Sequence, residues 1–158
     1  MSISSPAALG LYIHWPYCAR ICPYCDFNVY KARGADSAPL VEALLADMAR
    51  WREVTGPRAL TSVHFGGGTP SLMEARDIAR VLEKAETLWG LEPDAELGLE
   101  ANPAERARLA DIVSAGINRL SVGVQSLDDA ALARLGRDHD ARAGLDALEI
   151  ARSLVARV

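Results

Sequence analysis

All three cysteines of the chain fall within one short stretch, HWPYCARICPYC over residues 14–25, as Cys18, Cys22 and Cys25. Their spacing is C-x3-C-x2-C, tighter than cysteines used as scattered core filler. An odd count with no fourth cysteine argues against a disulfide framework. Pro16 and Pro23 oppose a continuous helix through the run, so it reads as a loop wrapped around something. Three convergent thiolates make a metal or cluster site. A cubane iron–sulfur cluster has four irons, so three ligands leave one iron open to bind a substrate or cofactor. Two alternatives stand beside this: a closed Cys3His zinc site recruiting His14, and three structural cysteines without a ligand.

Other stretches could also do chemistry. Gly66-Gly67-Gly68-Thr69-Pro70 follows a predicted strand, and three glycines let backbone approach a ligand and expose N–H and C=O groups. The segment lacks the Lys and spacing of a phosphate loop; the alternative is a plain turn. Glu100 ends another predicted strand on the face it shares with Glu96 and Gly98, as a ligand or as a solvated carboxylate. His14, His64 and His139 have no metal-binding spacing among themselves and read as hydrogen-bonded structural residues.

Alternating strands and amphipathic helices position these groups. Residues 11–15 read as a first strand, with Leu11, Ile13 and Trp15 on one face and Tyr12 and His14 on the other. Asp36-Ser37-Ala38-Pro39 opens a helix with Ser37 as N-cap; its stripe is Leu40, Leu44, Leu45, Met48 and Trp51, and Gly56-Pro57 stops it. A second strand covers 61–65, a helix 74–89, and a third strand 96–100. Asn102-Pro103-Ala104-Glu105 offers an Asn cap, Pro at the first helical position and Glu at N3, for a helix ending at Gly116. A fourth strand over 118–125 turns Leu120, Val122 and Val124 outward. Its other face, Arg119, Ser121, Gly123 and Gln125, is small and polar, as a ligand-lined lumen requires. Helices near 128–135 and 141–156 follow. The β-α alternation predicts an α/β fold with a parallel sheet of about four strands and right-handed crossovers, its last strand an exposed edge.

Composition bounds the function. The chain has 158 residues, enough for one domain, and 50% are hydrophobic. A net charge of −4 argues against a nucleic-acid surface. No apolar run reaches the ~18 residues of a transmembrane segment. The first residues, MSISSP, show no signal-peptide pattern. With reduced thiols this points to the cytoplasm.

The cysteine spacing with Tyr24 before the last thiol resembles the radical S-adenosylmethionine (SAM) superfamily. Tyr12-Ile-His-Trp-Pro-Tyr-Cys18 is similar to its oxygen-independent coproporphyrinogen III oxidase family. The resemblance runs from about Leu11 to Val158. It implies a (β/α)6 partial barrel of which residues 1–158 are the N-terminal portion, truncated before the last strands, with a cluster loop at 14–28. It also implies a [4Fe–4S] cluster on Cys18, Cys22 and Cys25 whose open iron chelates S-adenosyl-L-methionine. Gly67, Gly68 and Thr69 then bind the amino group of SAM. Glu100 is a cofactor residue, Gln125 lies near the ribose, and Arg137, Tyr12 and the backbone near Tyr24 complete the set. The implied chemistry is one-electron reduction of the sulfonium to methionine and a 5′-deoxyadenosyl radical. The family's oxidase branch carries a fourth cysteine two residues after the third, where this chain has Phe27. Cys25-Asp-Phe-Asn28, the run 116–126 and Leu135-Gly-Arg-Asp-His139 are similar to its haem-chaperone branch. The resemblance therefore implies binding of haem and its transfer to acceptor proteins. Oxidative decarboxylation of coproporphyrinogen III in porphyrin biosynthesis is the second reading, and whether the chain is an enzyme stays open.

Overall fold

Alternation along Leu9–Trp15 buries Ile13 and Trp15 and leaves Tyr12 and His14 on the opposite face, the two-residue period of a strand. In chain order this strand, β1, is followed by the short β2 (Tyr17–Cys18) and β3 (Tyr30–Lys31), α1 (Ala38–Thr55), β4 (Leu60–Gly67), α2 (Ala75–Trp89), β5 (Leu91–Ala101), α3 (Leu109–Ser114), β6 (Arg119–Val122), α4 (Asp129–Arg134) and α5 (Ala141–Leu154). The computed structural model describes residues 7–32, 34 and 37–158. Met1–Pro6, which carried the signal-peptide reading, and Asp36 lie outside them. The main sheet has the order β1-β4-β5-β6, and every pairing is parallel. Each connection must therefore cross over, and a helix does so each time.

One face of the sheet packs on the helices. Val63, Phe65, Leu99 and Leu120 are fully buried, with Val41 and Met48 of α1, Ile78 and Val81 of α2, and Ile112 of α3 in the same core. Burial of such side chains contributes about 1.5–3 kcal/mol each. The other face is polar: Tyr12 stands beside His64, His64 beside Gly98, and Glu100 beside Ser121 across neighbouring strands.

Several sequence expectations are corrected. Ser37 sits at the N-cap position of α1 but makes no capping bond through its side chain. Trp51 is 55% exposed, and Val41, which lay outside the expected stripe, is buried; the indole N–H of Trp51 donates to Asp47 Oδ2 at 3.2 Å. The helix expected over 103–116 is a 3-10 turn at Pro103–Arg108 followed by the short α3, although Asn102 does cap it through Ala104 N–H. The cysteine stretch is not loop alone, since Tyr17–Cys18 and Tyr30–Lys31 pair in parallel. The fourth strand stops at Val122, three residues early, and Gln125 lies in a turn beyond it at φ 66°. The edge of β6 is partly covered: Leu120 N–H donates to Arg157 O at 3.0 Å, and Arg119 and Arg157 form a parallel bridge.

Candidate functional site

The cysteine loop is tied at its base before it carries any ligand. Tyr30 N–H donates to Pro16 O at 2.7 Å and Ala32 N–H to Cys18 O at 2.8 Å, so the chain leaves and returns side by side. His14 Nε2 meets Asn28 O at 3.0 Å below it. The loop then rests on the C-terminal end of β4. Gly68 N–H donates to Trp15 O at 2.6 Å and Thr69 N–H to Tyr17 O at 2.9 Å, while Gly67 N–H donates to Glu100 Oε2 at 3.3 Å. The N–H groups of the triple-glycine segment are thus not exposed to a ligand, as the sequence suggested; they hold the cysteine loop and Glu100.

All three cysteines line a cavity of about 320 Å³, and Tyr24, Gly67, Gly68, Thr69, Glu100, Gln125 and Arg137 line the same space. Seven of the eight expected cofactor residues therefore converge with the thiols. Tyr12 is the exception. It stands 56% exposed on the polar sheet face, its ring stacked on His64 with centroids 6.1 Å apart. Even so it is close to the carboxylate: a Cβ placed on Gly66 would lie 3.0 Å from Tyr12 Oη and 3.1 Å from Glu100 Oε1. Partial burial, and then the charge of Glu100, push the Tyr12 hydroxyl above its ordinary pKa.

Glu100 is held from both sides, by His64 Nε2 at 3.3 Å on Oε1 and Gly67 N–H at 3.3 Å on Oε2. Arg137 binds three parts of the fold together. Its Nη1 reaches Cys22 Sγ at 3.5 Å and Tyr24 Oη at 3.4 Å, and its Nη2 donates to Asn102 Oδ1 at 3.2 Å and Gly123 O at 3.0 Å. Sequence reasoning took Asn102 only as a helix cap. Its amide also donates to the Asp138 carboxylate at 3.0 and 3.1 Å, so it links two segments distant in sequence. No local pattern could have shown that.

The residues fit a thiolate-bound cluster. The guanidinium of Arg137 lies 3.5 Å from the Cys22 sulfur, a cation beside a prospective cluster ligand. Arg137 Nε is buried with no partner of its own, a donor left over for a bound group at this wall. His14, the fourth ligand of the zinc alternative, is instead engaged by Asn28, and among the described residues no three His, Cys, Asp or Glu side chains converge as a single-ion site.

The three thiols differ. Cys18 is buried at 7% exposure while Cys22 and Cys25 are partly open. Burial pushes the Cys18 thiol up, a hydrogen bond from Thr69 opposes this, and the neighbouring Cys25 and Cys22 add to the rise. A raised pKa keeps the thiol protonated to higher pH. In cluster-free protein, alkylation by iodoacetamide is expected to label Cys22 and Cys25 first. Cys18 should react last, with a rate that climbs above the ordinary thiol range. Mass-mapped labelling across pH checks this, and equal labelling of all three contradicts it.

A parallel half-barrel with a three-cysteine loop after its first strand matches the radical SAM superfamily model over residues 12–157. The chain belongs to that superfamily, whose members use a [4Fe–4S] cluster and SAM. It is 48% identical over 147 residues to radical S-adenosyl methionine domain-containing protein 1, mitochondrial, of Bos taurus, covering 92% of this chain and 33% of that protein. It is 42% identical over 151 residues to heme chaperone HemW of Haemophilus influenzae, covering 91% of this chain and 39% of that protein. Among solved structures, coproporphyrinogen III oxidase (HemN) from Escherichia coli, a radical SAM enzyme, superposes with a TM-score of 0.83 at 28% identity, over 94% of this chain and 35% of that one. The chain spans roughly a third of the length of the curated relatives it matches.

Proposed function

We propose that this chain is the N-terminal portion of a radical SAM core, residues 1–158, in a protein that binds haem and passes it to acceptor proteins. The observation that carries the haem reading is Phe27. It lines the cavity beside the three thiols at 59% exposure, where the oxidase branch would place a fourth cysteine. The name heme chaperone HemW among the relatives supports the same branch. The likeness to coproporphyrinogen III oxidase keeps oxidative decarboxylation of a porphyrinogen as the second reading.

In this reading Cys18, Cys22 and Cys25 hold the cluster, which supplies one-electron reduction when bound, with SAM as the radical source. The chain's own residues bind and orient. Gly67, Gly68 and Thr69 would form the edge that holds the amino group of SAM. Glu100, pinned by two donors, presents a fixed carboxylate. Tyr12 places its hydroxyl near that carboxylate, and Gln125 would lie toward the ribose of bound SAM. Arg137 clasps the cysteine loop to β5 and β6 and keeps the site closed on that side. The proposed compartment is the cytoplasm, where thiols stay reduced; fractionation tests this against the mitochondrial address carried by the names of several relatives. Among the described residues no helix is long and apolar enough to cross a membrane.

The test supplies full-length, cluster-loaded protein with haem, and separately with coproporphyrinogen III and SAM under reduction. Stoichiometric haem binding without porphyrinogen turnover is expected. Turnover to protoporphyrinogen with no measurable haem binding reverses the order of the two readings.

A further inference from the structure

Gln125 is the one non-glycine residue with positive φ, at 66°, among the described residues. L side chains disfavour that region, and a glutamine persists there only when its surroundings hold it. Strand pairing does not do so, because β6 ends at Val122. The turn over Gly123–Ser126 has its own short bonds, Val124 N–H to Val122 O at 2.9 Å and Ser126 N–H to Val124 O at 2.8 Å. Two side chains from one three-residue segment grip its successive carbonyls. Arg137 Nη2 takes Gly123 O at 3.0 Å, and His139 Nε2 takes Val124 O at 3.1 Å. The Val124 carbonyl belongs to the peptide plane that meets Gln125 Cα, so fixing that plane restrains the Gln125 backbone directly.

His139 is built for this grip. Its side chain is only 1% exposed. Val124 O can only accept, so Nε2 carries the hydrogen. Nδ1 faces Asp138 Oδ1 at 3.7 Å and has no hydrogen-bond partner. α5 closes over the pair: a Cβ on Gly144 would stand 3.1 Å from Val124 Cγ1 and 3.8 Å from His139 Cδ2. Meanwhile Asp138 anchors Asn102. His139 itself is absent from the cavity wall that Gln125 lines.

We infer that His139 is a positioning residue that holds Gln125 in its left-handed conformation, aimed into the cofactor cavity. It acts on SAM binding through Gln125 and not by contact. The inference rests on the reading that Gln125 contacts SAM.

The test is a double-mutant cycle on full-length, cluster-loaded protein, with SAM affinity read by equilibrium dialysis and iron content and thermal midpoint recorded alongside. His139→Leu is expected to weaken SAM about tenfold, the scale of one lost buried hydrogen bond. His139→Gln, whose amide nitrogen reaches the place of Nε2, should restore most of that. Gln125→Ala should weaken SAM similarly, and adding His139→Leu to it should change affinity no further. A purely structural role would lower the thermal midpoint in both backgrounds and give affinity losses that add. Additive losses, or unchanged affinity in His139→Leu alone, overturn the inference. Unchanged affinity in Gln125→Ala refutes the underlying reading, and the inference falls with it. If His139→Leu does not fold, His139→Gln is compared with His139→Asn, which lacks the reach to Val124 O; equal SAM affinity in the two overturns the inference.

Discussion

Serine in place of any one of Cys18, Cys22 or Cys25 is expected to leave full-length protein nearly colourless after anaerobic reconstitution, its iron falling from about four per chain to below one. The substitution keeps size and removes the soft, ionisable sulfur. All three thiols line one cavity, and they are the three cysteines of residues 1–158. SAM cleavage should vanish with the iron. The loss should be steepest at Cys18, whose thiol is buried and receives the Thr69 hydrogen bond. Iron and sulfide assays on the three variants check this. Any variant that retains a full complement of iron removes that residue from the ligand set.

The second large effect lies at Gly68. A Cβ there would stand 2.7 Å from Tyr17 O, 2.8 Å from Trp15 O and 3.0 Å from the Pro16 carbonyl carbon. All three are backbone atoms of the cysteine loop, so no rotamer change relieves the clash. Gly68→Ala is expected to push that loop off β4, break the Gly68 N–H to Trp15 O bond, and destabilise the protein by about 1–3 kcal/mol as an overpacking substitution. Gly67→Ala adds backbone strain, since its φ is 106° and the new Cβ would stand 2.6 Å from the His14 ring. The decisive comparison is cluster-free against cluster-loaded protein. A glycine needed only for approach of a ligand would spare the cluster-free form. The packing seen here predicts that chemical denaturation detects the loss in both.

The cofactor chemistry was legible because it is written locally. The three cysteines sit within a single turn and return of chain, so their spacing marks a metal or cluster site before any fold is known, and the family resemblance narrows it to a cluster. The parallel α/β order was legible for a similar reason: apolar period two along 11–15, 61–65 and 96–100 alternates with helical period, and each helix forces a crossover. The departures fall where a local pattern extends beyond what the fold uses. Ser37 has the chemistry of a cap but makes no capping bond. Trp51 is apolar and in phase, yet it stands 55% exposed. The alternation through 118–125 runs past Val122, although pairing with β5 ends there.

What the sequence determined by itself is the cluster of thiols, the stretch that carries them and the class of sheet, since each depends on residues a few positions apart. What the tertiary structure decided is which groups hold that loop and how the strand ends meet. Gly67–Thr69 direct their N–H groups to Glu100 and the cysteine loop. Arg137 joins Cys22, Tyr24, Asn102 and Gly123. His139 restrains a turn 15 residues before it. Those partners are far apart in the chain, and parallel strands bring their C-terminal ends together only after the intervening helices have packed.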